Sequence, residues 1–163
     1  MSINIGHTRR NLDVESIYLN MMYVAEIMKE LDEWEKAGDG YVTAAQIAEF
    51  HEIPHISIIK TYKRSIPCFL RIRSTRAYDS FHSVVDCYLK DNQIQKAIEH
   101  CIKYGYVIRN VFWDRYRSRE FYEQADHLRF LHNIPHRCAI REFDINKYDI
   151  LEKAHDDFQN VGF

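Results

Sequence analysis

Residues 41–76 read YVTAAQIAEFHEIPHISIIKTYKRSIPCFLRIRSTR, and this stretch decides the predicted fold. Thr43 can cap a short helix over residues 44–51, because its hydroxyl can accept a hydrogen bond from the free amides of the first turn. Pro54 then separates this helix from the next one, since proline has no amide hydrogen to donate to a helical hydrogen bond. The first part of the stretch therefore predicts a short helix that ends in a turn.

A second helix fits residues 55–65, and Pro67 is expected to stop it. Beyond the proline, residues 70–73 alternate apolar and basic side chains, as a strand with one buried face does. The order of elements across the whole stretch is therefore helix, turn, helix and strand.

This order resembles the winged helix-turn-helix domains of transcription regulators. The quoted pieces are TAAQIAEF for the first helix, HEIP for the turn, HISIIKTYKRS for the recognition helix and FLRIRSTR for the wing. The resemblance implies that the second helix enters the major groove of DNA and that the basic strand contacts phosphates. The glycine-bearing hairpin of a usual wing does not follow Arg73.

A longer amphipathic helix is predicted before this stretch, from Asp13 to about Glu35. Its apolar residues recur at steps of four and three, and they are Ile17, Met21, Val24, Met28 and Leu31. Gly38 and Gly40 tolerate the left-handed conformation that ends many helices. We therefore place the end of this helix before them.

The C-terminal half is predicted to mix helices and strands. We expect a helical hairpin over 77–89 and 94–102, a strand over 106–113, a helix over 119–131, a strand over 138–143 and a helix over 145–159. The predicted fold class is α+β and mostly helical. It consists of a winged-helix-like domain (1–76) and a C-terminal region (77–163) in which the helical hairpin is joined by a small β element. The alternative is that the two parts form one compact unit.

The charge pattern supports a DNA-binding surface. Residues 53–78 contain six lysines and arginines and no acidic residue, although the whole chain has a net charge of −2. Counter-charge lies upstream, where residues 26–52 carry eight acidic and two basic side chains. The predicted DNA contacts are His55, Ser57, Lys60, Thr61, Lys63, Arg64, Arg71, Arg73 and Arg76. We expect a transcription regulator that binds double-stranded DNA as a homodimer.

A second cluster favours a different function. Residues 103–119 interleave arginines with aromatic side chains, and such residues anchor many protein interfaces. The candidate interface residues are Tyr104, Tyr106, Arg109, Trp113, Arg115, Tyr116 and Arg117. The alternative function is therefore a small inhibitor or adaptor that binds a host or partner protein. The same aromatic residues could also fill the core or stack on unpaired bases.

The remaining alternative is a zinc metalloprotease. Residues 51–55 read HEIPH and match HExxH, in which two histidines one helical turn apart bind zinc. Pro54 argues against the continuous helix that this chemistry needs. The chain also lacks the phosphate-binding and nucleophile motifs GxxxxGK[ST], GxGxxG and GxSxG. We expect no enzyme activity, no cofactor and no metal.

Composition bounds the remaining possibilities. The chain has 163 residues, of which 46% are hydrophobic and 28% charged, so it can bury a core. Its four cysteines form no CxxC pair, and the sequence contains no apolar run of membrane-spanning length. We therefore expect a cytoplasmic protein with reduced thiols and no membrane partner.

Overall fold

The computed structural model describes residues 5–51 and 53–135, and every regular element in them is helical. The α-helices are α1 (Ile5–Glu30), α2 (Trp34–Phe50), α3 (His55–Arg71), α4 (Ala77–Lys90), α5 (Ile94–Val107) and α6 (Arg115–Leu131). A single turn of π-helix, Ile108–Phe112, follows α5 directly. The predicted α+β class is therefore wrong for the described residues.

The helices form an array in which each one packs against the next along the chain. Alternate helices also touch. Tyr18 of α1 hydrogen-bonds Thr61 of α3 at 2.7 Å, and the His82 ring of α4 stacks on Phe121 of α6 at 4.5 Å. Most of the buried side chains form one core that runs from Ala45 to Leu128. The array is therefore continuous across the predicted boundary at 76/77, where α3 packs against α4.

The predicted strand at residues 70–73 is wrong, because α3 continues through Pro67 to Arg71. A proline inside a helix costs about 3 kcal/mol. Ile66, Phe69 and Leu70 are buried around it, and burying each such side chain contributes about 1.5–3 kcal/mol. Packing against neighbouring helices therefore outweighs the proline. In the alternating segment 70–73, the first two residues end α3 and the last two lie in the turn that follows it.

The predicted break at Gly38 and Gly40 is also wrong, since α2 starts at Trp34 and runs through both glycines. A Cβ atom at Gly40 would lie 2.9 Å from the Cβ of Ala25, and one at Gly38 would lie 2.6 Å from the Phe69 ring. The glycines allow α1 and α3 to approach α2 closely. They serve helix packing and do not end a helix.

The predicted strand over 106–113 is occupied by the end of α5 and the π-helix. Tyr104, Val107 and Ile108 are all buried, so this β-prone segment packs as a helix. The helices expected over 77–89 and 94–102 are present as α4 and α5. The strand predicted over 138–143 and the helix predicted over 145–159 lie outside the described residues.

Candidate protein-interaction surface

The connection between α5 and α6 has an unusual backbone. The π-helix ends at Phe112, and Trp113 follows with a φ of 58° in the left-handed region. Asp114 is then extended and caps α6, because its carboxylate accepts a hydrogen bond from the backbone N–H of Arg117 at 3.0 Å. Single turns of π-helix occur frequently at functional sites.

This backbone presents two large aromatic side chains to solvent. Trp113 is 80% exposed and Tyr116 is 75% exposed. A left-handed conformation costs a bulky residue such as tryptophan about 1–2 kcal/mol. Exposed tryptophan and tyrosine are the side chains that most often anchor protein interfaces. The strained turn therefore places an interface type of residue where a partner can reach it.

Three arginines lie close in sequence to the two aromatic side chains. Arg109 and Arg115 are exposed. The Arg117 guanidinium lies over the Tyr78 ring at 4.5 Å and pairs with Asp114 at 3.7 Å. Residues 103–119 carry five cationic side chains and one carboxylate. We call the exposed set Arg109, Trp113, Arg115, Tyr116 and Arg117 the aromatic–arginine turn.

The turn rests on a packed base. Gly105 of α5 lies so close to α6 that a Cβ atom there would be 3.0 Å from the Tyr122 ring. The Ser118 hydroxyl donates to the Gly105 carbonyl at 2.6 Å. Phe112 packs edge-to-face on Tyr78 with ring centroids 4.9 Å apart. These contacts hold α5, α6 and α4 together beneath the exposed side chains.

The predicted interface residues divide by burial. Tyr104 is fully buried and stacks on Phe81 at 4.2 Å, so its side chain lies in the core. Tyr106 is half-buried. The five residues of the aromatic–arginine turn are all exposed, and they lie within nine positions of the chain. Sequence reasoning missed the cap at Asp114, although an aspartate directly before a polar helical segment is its usual signal.

The predicted DNA-binding residues do not form one free cationic surface. Thr61 is buried, and its hydroxyl donates to the Ser57 carbonyl at 2.7 Å. Arg64 pairs with Glu26 at 3.2 Å, and Arg76 pairs with Asp39. Two of the six cations are therefore neutralised by the acidic segment upstream.

The other predicted contacts lie along α3 and just beyond its end. His55 and Lys60 are exposed, and Lys63 is half-buried. Arg71 lies over the Trp34 ring at 4.5 Å, beyond Pro67, and Arg73 is exposed with a φ of 49° in the turn that follows α3. Arg71 and Arg73 were predicted to project together from a strand, and the helical backbone removes that geometry.

The HEIPH segment does not form the helix that zinc chemistry needs. His51 follows the end of α2, and His55 begins α3, with Pro54 between them. No group of three or more His, Cys, Asp or Glu side chains in residues 5–51 and 53–135 could hold a metal ion. None of the described helices is both long and apolar enough to cross a lipid bilayer.

Comparison with known proteins identifies the family. The sequence matches the family model described as soluble NSF attachment protein, SNAP, over residues 21–130, about two thirds of the chain. A search of curated proteins found no match, and neither did a search of solved structures. The match covers residues 21–30 of α1, the whole of α2 to α5 and α6 up to residue 130, and it includes the aromatic–arginine turn.

The family match corrects the earlier reading of the sequence. It overturns the resemblance to winged helix-turn-helix domains, the prediction of a DNA-binding transcription regulator and the remote zinc-protease alternative. The predicted homodimer rested on DNA binding and loses its argument with it. Because the model of this helical family matches more than half of the residues of the chain, the chain belongs to the soluble NSF attachment protein family.

Proposed function

We propose that this chain is a protein-binding adaptor that attaches to an NSF-type partner. The family description names attachment to NSF, and the family consists of adaptors rather than enzymes. That agrees with the expectation of a protein without enzyme activity, and it favours the alternative function that the sequence left open. Protein partners follow from the family, and the identity of the partner is the proposal.

The exposed Trp113 is the observation that carries the proposed contact surface. Tryptophan, tyrosine and arginine are enriched in the few residues that dominate binding energy. The aromatic–arginine turn holds all three types within nine residues, on a base fixed by Gly105 and Ser118. Its excess of arginine favours a partner surface that combines apolar area with carboxylates.

Binding of the full chain to purified NSF tests this proposal, with affinity measured by surface-attached binding kinetics. We expect saturable binding and a loss of about tenfold to a hundredfold for Trp113→Ala. Phe50→Ala is the matched control, because Phe50 is also an aromatic residue and is 83% exposed, at the end of α2. It should bind as the natural chain does.

Two results would contradict the proposal in different ways. Absence of saturable binding to NSF would remove the partner. If Trp113→Ala and Phe50→Ala weaken binding equally, NSF is still the partner, but the aromatic–arginine turn is not its contact surface.

The cytoplasmic location stays a prediction. Within the described residues, Cys68, Cys87 and Cys101 are buried free thiols, as is usual for proteins of a reducing compartment. Fractionation of cells that express the tagged chain would test the location directly.

A further inference from the structure

Polar side chains from three helices meet around the ring of Tyr88. Lys63 of α3 donates a hydrogen bond to the Tyr88 hydroxyl at 2.9 Å, and its ammonium lies 5.3 Å from the ring centroid. The Lys96 ammonium of α5 lies 5.9 Å from the same centroid. The His100 ring, one turn further along α5, is 4.7 Å away. We call Lys63, Tyr88, Lys96 and His100 the lysine–tyrosine cluster.

Positive charge predominates around the lysine–tyrosine cluster, where Lys63, Lys96 and Lys103 face Glu99. Neither Lys63 nor Lys96 forms an ion pair with a carboxylate among the described residues. Burial lowers the pKa of Lys63, and the charge of Lys96 lowers it further. Glu99 is the acidic residue that acts on this cluster, and it accepts a hydrogen bond from Gln95. Lys63 is half-buried and Lys96 is exposed, so an anion that bound both would offset the repulsion between them and the burial of Lys63.

His100 is held in a defined orientation. Its Nδ1 lies 2.7 Å from the carbonyl oxygen of Lys96, and a carbonyl can only accept, so Nδ1 carries the hydrogen. Burial lowers the pKa of His100 to about 4, and the charges of Lys63, Lys103 and Lys96 act in the same direction. The ring is therefore neutral at pH 7, and a bound anion would favour its protonated form.

A core tyrosine packs against the cluster through its ring. Tyr104 is fully buried, and its hydroxyl has no hydrogen-bond partner among the described residues. It interacts electrostatically with Tyr88, and its ring is 5.6 Å from that of His100. Buried polar groups are nearly always hydrogen-bonded in folded proteins. The Tyr104 hydroxyl is an exception to this rule within the described residues.

We infer that the lysine–tyrosine cluster binds a small oxyanion that carries two negative charges. Inorganic phosphate and a phosphate monoester are the two sources of this chemistry. Two ammonium groups match the charge of a phosphate dianion, and donors on three helices match oxygens that point in different directions. A carboxylate offers one charge and two oxygens in one plane. The inference does not depend on the adaptor function.

Calorimetric titration of the full chain with sodium phosphate at pH 7 tests this inference, with sodium chloride at matched ionic strength as the blank. We expect saturable binding at one site. Lys63→Gln and Lys96→Gln should each weaken it about tenfold or more, because each removes a charge-assisted contact. Lys96 is exposed, so its variant keeps the test valid if Lys63→Gln fails to fold.

Lys36→Gln is the matched control. Lys36 is exposed on α2, where it pairs with Glu33 at 3.3 Å, and its replacement should leave phosphate affinity unchanged. Equal weakening by Lys36→Gln would show a general charge effect and overturn the inference. Absence of saturation with phosphate would also overturn it.

Two further ligands distinguish the chemistry. Phenyl phosphate and inorganic phosphate should both bind, and the tighter of the two identifies the source as an ester or as the free ion. Acetate should bind much more weakly than either. Acetate binding as tight as phosphate binding would overturn the inference, since it would assign the cluster to a carboxylate side chain of a protein partner.

Discussion

The two ends of α5 are connected to their neighbours in different ways. At the N-terminal end, Asn92 has a φ of 54°, its N–H donates to the Leu89 carbonyl, and the next N–H donates to the Tyr88 carbonyl. The same pattern follows α1 at Asp32 and α3 at Arg73. At the C-terminal end, a π-helix, a left-handed Trp113 and an Asp114 cap replace this pattern.

The comparison shows where the molecule retains strain. Asparagine tolerates the left-handed region because its short polar side chain can hydrogen-bond locally. Tryptophan has no such compensation, and backbone strain of this kind clusters at binding and switch sites. The N-terminal turn of α5 is therefore a standard helix end, and the C-terminal turn is an exception that exposes an aromatic side chain.

Removing the aromatic ring that supports the C-terminal end of α5 should have the greatest effect on stability. Phe121 of α6 is buried and packs edge-to-face on Tyr104 and Phe81, with centroids 6.2 Å apart in both pairs. Phe121→Ala should lower the free energy of unfolding by about 3–5 kcal/mol. Urea denaturation measures the change. Phe130→Ala, at a residue of α6 that is 75% exposed, should change it by less than about 0.5 kcal/mol.

A pH titration tests the N-terminal half of α5. Burial, with the nearby ammonium of Lys63, lowers the pKa of His100 to about 4. In the unfolded chain this histidine binds a proton below about pH 6.5. In the folded chain the same histidine stays neutral until the pH falls to about 4. Stability should therefore fall by about 2 kcal/mol between pH 7 and pH 5.

His100→Gln should abolish this contribution, and His127→Gln, at an exposed position of α6, should leave it intact. Thermal unfolding at pH 7, 6 and 5 measures the difference. A slope that His100→Gln leaves unchanged would contradict the assignment.

The helix caps give a smaller effect. Asp114→Ala removes the side-chain acceptor at the start of α6, and its loss should cost about 1 kcal/mol. Gln93 occupies the corresponding position of α5 without a side-chain cap bond to that helix. Gln93→Ala should therefore cost only a few tenths of a kcal/mol. Equal losses in chemical denaturation would show that the N-caps of α5 and α6 contribute equally to stability.

Glycine substitutions at the two left-handed residues beside α5 should have the weakest effect on stability. Trp113→Gly should stabilise the fold by up to about 1 kcal/mol, because glycine removes the left-handed penalty while it raises the entropy of the unfolded chain. Asn92→Gly should gain less, since asparagine already tolerates this conformation. Differential scanning calorimetry measures both. A Trp113→Gly variant that is less stable than the natural chain would show that the indole contributes packing despite its exposure.

Helical periodicity made part of the fold predictable. The apolar spacing of α4 and α5 gave both helices of the hairpin, and residues 55–65 are helical within α3. Two of the errors share one cause, because residues that break helices in isolation are overridden by packing. Pro67, Gly38 and Gly40 are helix breakers in isolation, yet each lies inside a helix beside buried neighbours.

The candidate surface was only partly predictable. Composition alone indicated arginine and aromatic residues near residues 103–119 as interface material. It did not separate Trp113 from Tyr104, because both are aromatic residues in the same segment. The structure separates them, with the first in solvent and the second in the core.

Periodicity and composition predicted a mostly helical chain with a buried core and local excesses of charge, because both act over a few turns. Only the tertiary structure shows which cationic side chains are free of ion pairs, because their carboxylate partners lie on other helices. Glu26 and Asp39 neutralise Arg64 and Arg76 from other helices, while Lys63 and Lys96 lie near Tyr88 and form no ion pair within the described residues. Charge pairing depends on distances of a few ångströms, and only the tertiary packing of the helices sets them.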